Sequence, residues 1–151
     1  MSKPLTFFLA DDDNDDTYLF QEMLREVSPS TRFIGAVNGQ DALDKLTAPD
    51  SILPDIIFLD LNMPRMGGKE CLEALKEDEQ LRQIPVIMYT TSSHSKDIEE
   101  TLQRGAICFI TKPASVKELK DILYAISHNL QNNLQKTLMT LSNTASTFIV
   151  C

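Results

Sequence analysis

The chain has 151 residues and a net charge of −8, with 42% hydrophobic and 24% charged residues. That length suits one domain with one substantial core, and the composition excludes a disordered or fibrous chain. The acidic balance argues against a protein that grips nucleic acid directly through a broad basic surface.

In chain order, short apolar runs of strand length alternate with amphipathic stretches of helix length. Leu5 to Ala10 is nearly continuous in apolar residues, as a strand buried on both faces should be. Leu19, Phe20, Met23, Leu24 and Val27 then follow at spacings of three and four, which draws one apolar stripe along a helix that Ser28-Pro29-Ser30 ends. Arg32 to Val37 reads as a second strand, and Asn38 as the cap of a helix carrying Ala42, Leu43 and Leu46. After a loop from Pro49 to Pro54 comes Ile56 to Leu59, the most apolar strand of the chain. A loop with Pro64, Gly67 and Gly68 leads to a helix with Cys71, Leu72 and Leu75. Pro85 opens the strand Val86 to Tyr89, and a helix runs through Ile98 and Leu102 to Gly105. The fifth strand, Ile107 to Ile110, precedes Lys112-Pro113, and a last helix carries Val116, Leu119, Ile122, Leu123 and Ile126. Five strand–helix units predict an α/β fold: a doubly wound parallel sheet of five strands with five helices on its two faces, joined by right-handed crossovers.

In such a fold the chemistry sits beyond the carboxyl ends of the strands. The residues at those positions are Asp11-Asp12-Asp13, Asp60, Thr90-Thr91 and Thr111-Lys112. Taken singly each is weak, because an Asp at a strand end is commonly a cap or a turn former and a Lys before Pro is commonly just solvated. Together they predict one pocket. Crowded carboxylates call for a cation, and oxygen ligands with open positions suit Mg²⁺. A hydroxyl and an ammonium opposite them could hold the other oxygens of a phosphoryl group. The triple Asp11-Asp12-Asp13 leaves open which two bind metal, and Thr91 competes with Thr90, although counting from Pro85 favours Thr90.

Four segments carry a resemblance. They are Phe8 to Asp13, Pro54 to Pro64, Pro85 to Thr90 and Gly105 to Pro113. With these motifs in order and at matching spacing over residues 4 to 128, the chain resembles the receiver domain of bacterial response regulators in two-component signalling. The resemblance implies a flavodoxin-like strand order 2-1-3-4-5. It makes Asp60 the phosphoacceptor, phosphorylated with Mg²⁺ by a histidine kinase or a phosphotransfer protein. It assigns Asp11 and Asp12, with Asp60 and the main-chain carbonyl of Asn62, to the metal, and leaves Asp13 at the start of the helix. Lys112 would pair with a phosphoryl oxygen, next to a Lys112–Pro113 bond that is typically cis. Thr90 and Phe109 would form the switch, acting on a surface around the fourth helix and fifth strand. Asn62 and Ser92 match positions that tune acyl-phosphate lifetime. The expected role is that of a self-phosphorylating and self-dephosphorylating acceptor, not a turnover enzyme.

Rival readings are weaker on specific residues. A flavin-binding domain needs a phosphate loop after the first strand, where this chain has five aspartates. An aspartyl-phosphate phosphatase of the haloacid-dehalogenase type needs a second Asp two residues after the nucleophile, where this chain has Asn62. A receiver-like scaffold that is never phosphorylated has no use for the full set of site residues.

Residues 1–128 are thus expected to form the receiver domain, and 129–151 an extension of the last helix that passes into a polar tail. Leu130, Leu134, Leu138 and Leu141 recur there at helical spacing. That stripe suits a frayed helix end or an arm packed on a second copy. A homodimer through the last helix, or through the face of the fourth helix and fifth strand, is compatible with it. With no room for an output domain, signalling is expected to pass by contact with a downstream target protein. Cys71, Cys108 and Cys151 lack zinc-site spacing and the density of a disulfide scaffold. No stretch is long and apolar enough for a membrane span, and no signal-peptide pattern opens the chain, so a reducing cytoplasm is expected.

Overall fold

Three strands of the sheet are buried along their whole length, and they are the ones with the most continuous apolar runs. These are β1 (Thr6–Ala10), β3 (Ile56–Leu59) and β4 (Val86–Thr90). In this computed structural model, which describes residues 4–151, β2 (Arg32–Ala36) pairs with the outer side of β1, and β5 (Cys108–Thr111) with β4. All four pairings among β1 to β5 are parallel, as strands joined by helical crossovers must be.

Neighbouring residues along each strand feed opposite faces of the sheet. On one face Phe7, Leu9, Phe58, Ile87 and Tyr89 pack with α1 (Asn14–Val27) and α5 (Val116–Asn129), through Phe20, Leu24, Leu119 and Leu123. On the other face Phe8, Ala10, Ile57, Leu59 and Met88 meet α2 (Gly39–Thr47), α3 (Gly68–Glu77) and α4 (Ser95–Gln103), through Ala42, Leu46, Leu72, Leu75, Ile98 and Leu102. The fold is the expected doubly wound, flavodoxin-like one.

Helix starts are set by local side chains. Asp13 accepts hydrogen bonds from the backbone N–H groups of Asp15 and Asp16, Asn38 from that of Asp41, and Ser115 from that of Glu118. No side chain caps α3, which begins at Gly67-Gly68. A Cβ on Gly68 would meet the backbone carbonyl of Asp60, so only glycine lets the first turn of α3 rest on the end of β3.

The chain after residue 128 departs from the expected lengthened helix. α5 ends at Asn129, and α6 (Leu134–Thr144) begins after Asn133. Asn side chains compete with helical backbone bonds, and three of them stand between residues 129 and 133. The turn lets Leu134, Leu138 and Leu141 fold back onto the α5 side of the core. The final apolar residues become β6 (Ile149–Val150), antiparallel to β5, with Val150 opposite Phe109 and Ile149 opposite Ile110. The sheet therefore has six strands in the order β2-β1-β3-β4-β5-β6, and there are six helices among the described residues. The sixth strand satisfies edge N–H and C=O groups that β5 would otherwise present unpaired. A disulfide joins Cys108 to Cys151, and Cys71 is the free, buried thiol, which burial pushes up to about 12. Cysteine spacing did not point to this bond: residues 43 apart in sequence meet because β6 returns along β5. Among the described residues, no helix is long and apolar enough to cross a membrane.

Candidate functional site

Strand register alone brings the acidic residues together. Ala10 stands beside Leu59, so the next residue on each strand, Asp11 and Asp60, leaves the sheet at the same level. The Asp60 N–H donates to the Ala10 carbonyl at 3.0 Å, and the Asp11 N–H to the Ala36 carbonyl at 3.0 Å. On the other side Thr90 stands beside Thr111, and the Lys112 N–H donates to the Thr90 carbonyl at 2.7 Å. The carboxyl ends of four strands and the loops after them thus bring Asp11, Asp60, Thr90 and Lys112 together.

One carboxylate oxygen from each of Asp11, Asp12 and Asp60 lies within 4.8 Å of the others. Asp11 and Asp60 are buried, whereas Asp12 is exposed. Lys112 faces this group, with Nζ 2.7 Å from Asp11 Oδ2 and 3.9 Å from Asp60 Oδ2. It also pairs with Asp16 Oδ2 at 2.7 Å. Tyr89 forms part of its floor, with the ring centroid 5.8 Å from the ammonium. The side chain of Lys112 is only 10% exposed, yet its hydrogen bonds to Asp11 and Asp16 outweigh that burial and raise its pKa.

Burial pushes the Asp11 carboxyl up to about 6, against the pull of Lys112 and of its own bond from the Asp13 N–H. The strongest local cause is desolvation of a charge with too few compensating cations. Three carboxylates and one ammonium leave negative charge in excess, and the donors are all oxygen. This donor set fits a hard divalent cation.

The residues between which spacing left a choice take different places. Asp13 is turned to the helix, where it caps α1, and Asp11 and Asp12 lie with Asp60. Thr90 is fully buried at the end of β4, and its Oγ1 accepts from the Ser92 N–H at 3.4 Å, while Thr91 is exposed. Phe109 is fully buried on the α4 side of the sheet, packed in the same cluster as Ile98 and Leu102. Asn62 is exposed in the loop after Asp60. The described peptide bonds are all trans, Lys112–Pro113 included, so the cis bond implied by resemblance is absent. Trans is the lower-energy form even before proline.

Two participants were not singled out from the sequence. Asp16 lay within the acidic run, but its pairing with Lys112, 96 positions away, depends on the tertiary fold. Gly68 was noted as a loop glycine; its contact with the Asp60 backbone depends on how α3 enters.

Comparison with known proteins points the same way. Residues 7–124 match the family described as the response regulator receiver domain. The chain is similar to the response regulator Rcp1 of Synechocystis sp., 30% identical over 127 residues that cover 82% of this chain and 86% of Rcp1. Its fold is similar to the crystal structure of the phosphorylated cyanobacterial phytochrome response regulator RcpA, with a TM-score of 0.78 and 30% identity over 85% of this chain and 95% of that one. It is also similar to the Mn²⁺-bound form of Rcp1, with a TM-score of 0.76 and 30% identity over 85% of this chain and 96% of that one.

Proposed function

The chain belongs to the response regulator receiver domain family of two-component systems, and from that premise we propose that it is a phosphoacceptor whose Asp60 takes a phosphoryl group from a histidine kinase or a phosphotransfer protein. The observation that carries this reading is the meeting of Asp60 with Asp11, Asp12 and Lys112 at one edge of the sheet.

In the transfer, a carboxylate oxygen of Asp60 attacks phosphorus as the P–N bond of the donor phosphohistidine breaks. The imidazole leaves with a proton, and Asp60 becomes an acyl phosphate. A divalent cation, Mg²⁺ in this reading, would be held by the carboxylates of Asp11, Asp12 and Asp60 and the main-chain carbonyl of Asn62, and supplies positive charge to the phosphoryl oxygens. The Mn²⁺-bound form of the similar protein Rcp1 supports a divalent cation in this reading. Lys112 begins on Asp11 and Asp16, and its ammonium is 3.9 Å from Asp60. A phosphoryl group on Asp60 brings new anionic oxygens within its reach and competes for it.

The readout is a change of surface. The Thr90 hydroxyl moves toward the phosphoryl group, Phe109 follows, and the face formed by α4 and β5 alters its contacts with a downstream protein. Because β6 already pairs with β5, a homodimer through that face or through the last helix must form around α6 and β6. The protein acts as a stoichiometric acceptor in the cytoplasm, not as a turnover enzyme, and contacts neither nucleic acid nor membrane directly.

Incubation with acetyl phosphate and Mg²⁺ tests the reading. The wild type becomes labelled and Asp60→Asn does not; equal labelling of both proteins would overturn it.

A further inference from the structure

β6 is only two residues long; it pairs antiparallel with β5, and of its two residues Ile149 alone is buried in the core. The non-covalent attachment of the segment is small. The Thr111 N–H donates to the Phe148 carbonyl at 3.0 Å, and the hydroxyls of Ser146 and Thr147 donate to Glu118. In α6 only Leu138 is fully buried. Elements with so few buried contacts open locally long before the domain unfolds. The five parallel strands, by contrast, form their core without any help from Cys151.

We propose that the Cys108–Cys151 disulfide is a redox-sensitive clasp that holds residues 146–151 over the edge of β5, and that its reduction frees the segment and uncovers that edge. Cys108 is fully buried on β5, while Cys151 is exposed, so the bond is reached from the Cys151 side. A groove open to solvent runs beside it, lined by Pro85, Ile107, Leu134, Gln135 and Met139. The reductant is a dithiol. One of its thiolates attacks Sγ of Cys151, a mixed disulfide forms, and the Cys108–Cys151 bond breaks with Cys108 leaving and taking a proton. The second thiolate then attacks its partner sulfur in the mixed disulfide and Cys151 leaves as a thiol. Two electrons and two protons pass to the chain, and the dithiol becomes a cyclic disulfide. In a reducing compartment, disulfides are as a rule transient or sensing bonds.

Release would uncover the backbone of β5 from Phe109 to Thr111 and the side chains facing Ile149 and Val150. The clasp does not rest on the phosphoacceptor reading. Only its bearing on Phe109 as a switch residue does.

Hydrogen exchange followed by mass spectrometry on the full chain tests it in three samples: air-oxidised wild type, dithiol-treated wild type and Cys151→Ser. The air-oxidised protein should be lighter than the reduced one by the mass of the two thiol hydrogens, and should resist alkylation at Cys108 and Cys151. The amides of Thr111 and Val150 should exchange at least about tenfold faster in both other samples, with β1 and β3 unchanged. Free Cys108 and Cys151 thiols after air oxidation would overturn the proposal. So would equal protection of β6 and β5 in oxidised and reduced protein. None of these readouts involves Asp60, so a failure of labelling at Asp60 leaves the result intact.

Discussion

Lys112 and Asp16 form an ion pair at 2.7 Å across 96 positions of sequence, while the same ammonium stands 3.9 Å from Asp60. Asp16 is therefore a competitor for the cation that a phosphorylated Asp60 would need.

Asp16→Asn should remove that competitor and one negative charge near the entry of an anionic donor. Asp16 is 37% exposed, so the loss of folding stability should stay below about 1 kcal/mol. Labelling from acetyl phosphate should be roughly fivefold faster, the equivalent of about 1 kcal/mol. A rate slower than wild type in a stopped-time labelling assay would show that Asp16 helps the transfer.

Lys112→Met leaves Asp11, whose side chain is fully buried, without its cation. Breaking a buried pair in this way costs about 3–5 kcal/mol, to be read from urea denaturation without divalent cations. The variant should recover part of the loss on acidification, since a protonated Asp11 needs no partner.

The pH dependence of the wild type carries the same signature. Asp11 is raised from 3.8 to about 6 by burial, so the folded state holds the proton more tightly than the unfolded chain. Its contribution to stability is complete below pH 3.8 and is lost as pH rises through about 6. In metal-free buffer, that loss should be on the order of 2 kcal/mol, and Asp11→Asn should flatten the slope. Unfolding curves between pH 4 and 7 that are alike in the two proteins would contradict this.

Gly68→Ala puts a methyl group against the carbonyl of Asp60 and the Cα of Leu61. Both neighbours are backbone, so α3 or the loop after β3 must shift. A cost of about 1–3 kcal/mol is expected from overpacking, together with slower labelling of Asp60. Gly67→Ala is the control, because its added Cβ would lie 3.0 Å from a single oxygen, that of Leu61.

Lys69 of α3 bridges to Asp97 at 2.6 Å and Glu100 at 2.8 Å on α4, and it holds both carboxyls below their ordinary range. Lys69→Ala should loosen α4, and the difference should shrink in high salt. The Asp97 contribution is present above pH 3.8 and disappears as pH falls through the lowered value. Amide exchange along α4, compared at low and high salt, reads the effect.

The parallel core was legible because buried strands and amphipathic helices differ in period. Ile56 to Leu59 could be little else, and its next residue, Asp60, was placed by the strand end alone. Two kinds of feature were not legible. Asp16–Lys112 and Gly68–Asp60 depend on how distant elements dock, which no local spacing encodes. The tail misled for another reason: Leu130, Leu134, Leu138 and Leu141 read as one helical stripe, while the asparagines at 129, 132 and 133 that break it are weak local signals. A two-residue strand such as β6 lies below the length at which alternation can be recognised.

With β5 covered by β6, the long open edge left to the parallel sheet is that of β2, where Arg32 is exposed. A charged, partly exposed strand is a poor template for another chain. The same two residues that close the β5 side therefore also guard the protein against edge-to-edge aggregation, and its colloidal behaviour at high concentration depends on a segment that contributes nothing to the phosphoacceptor pocket.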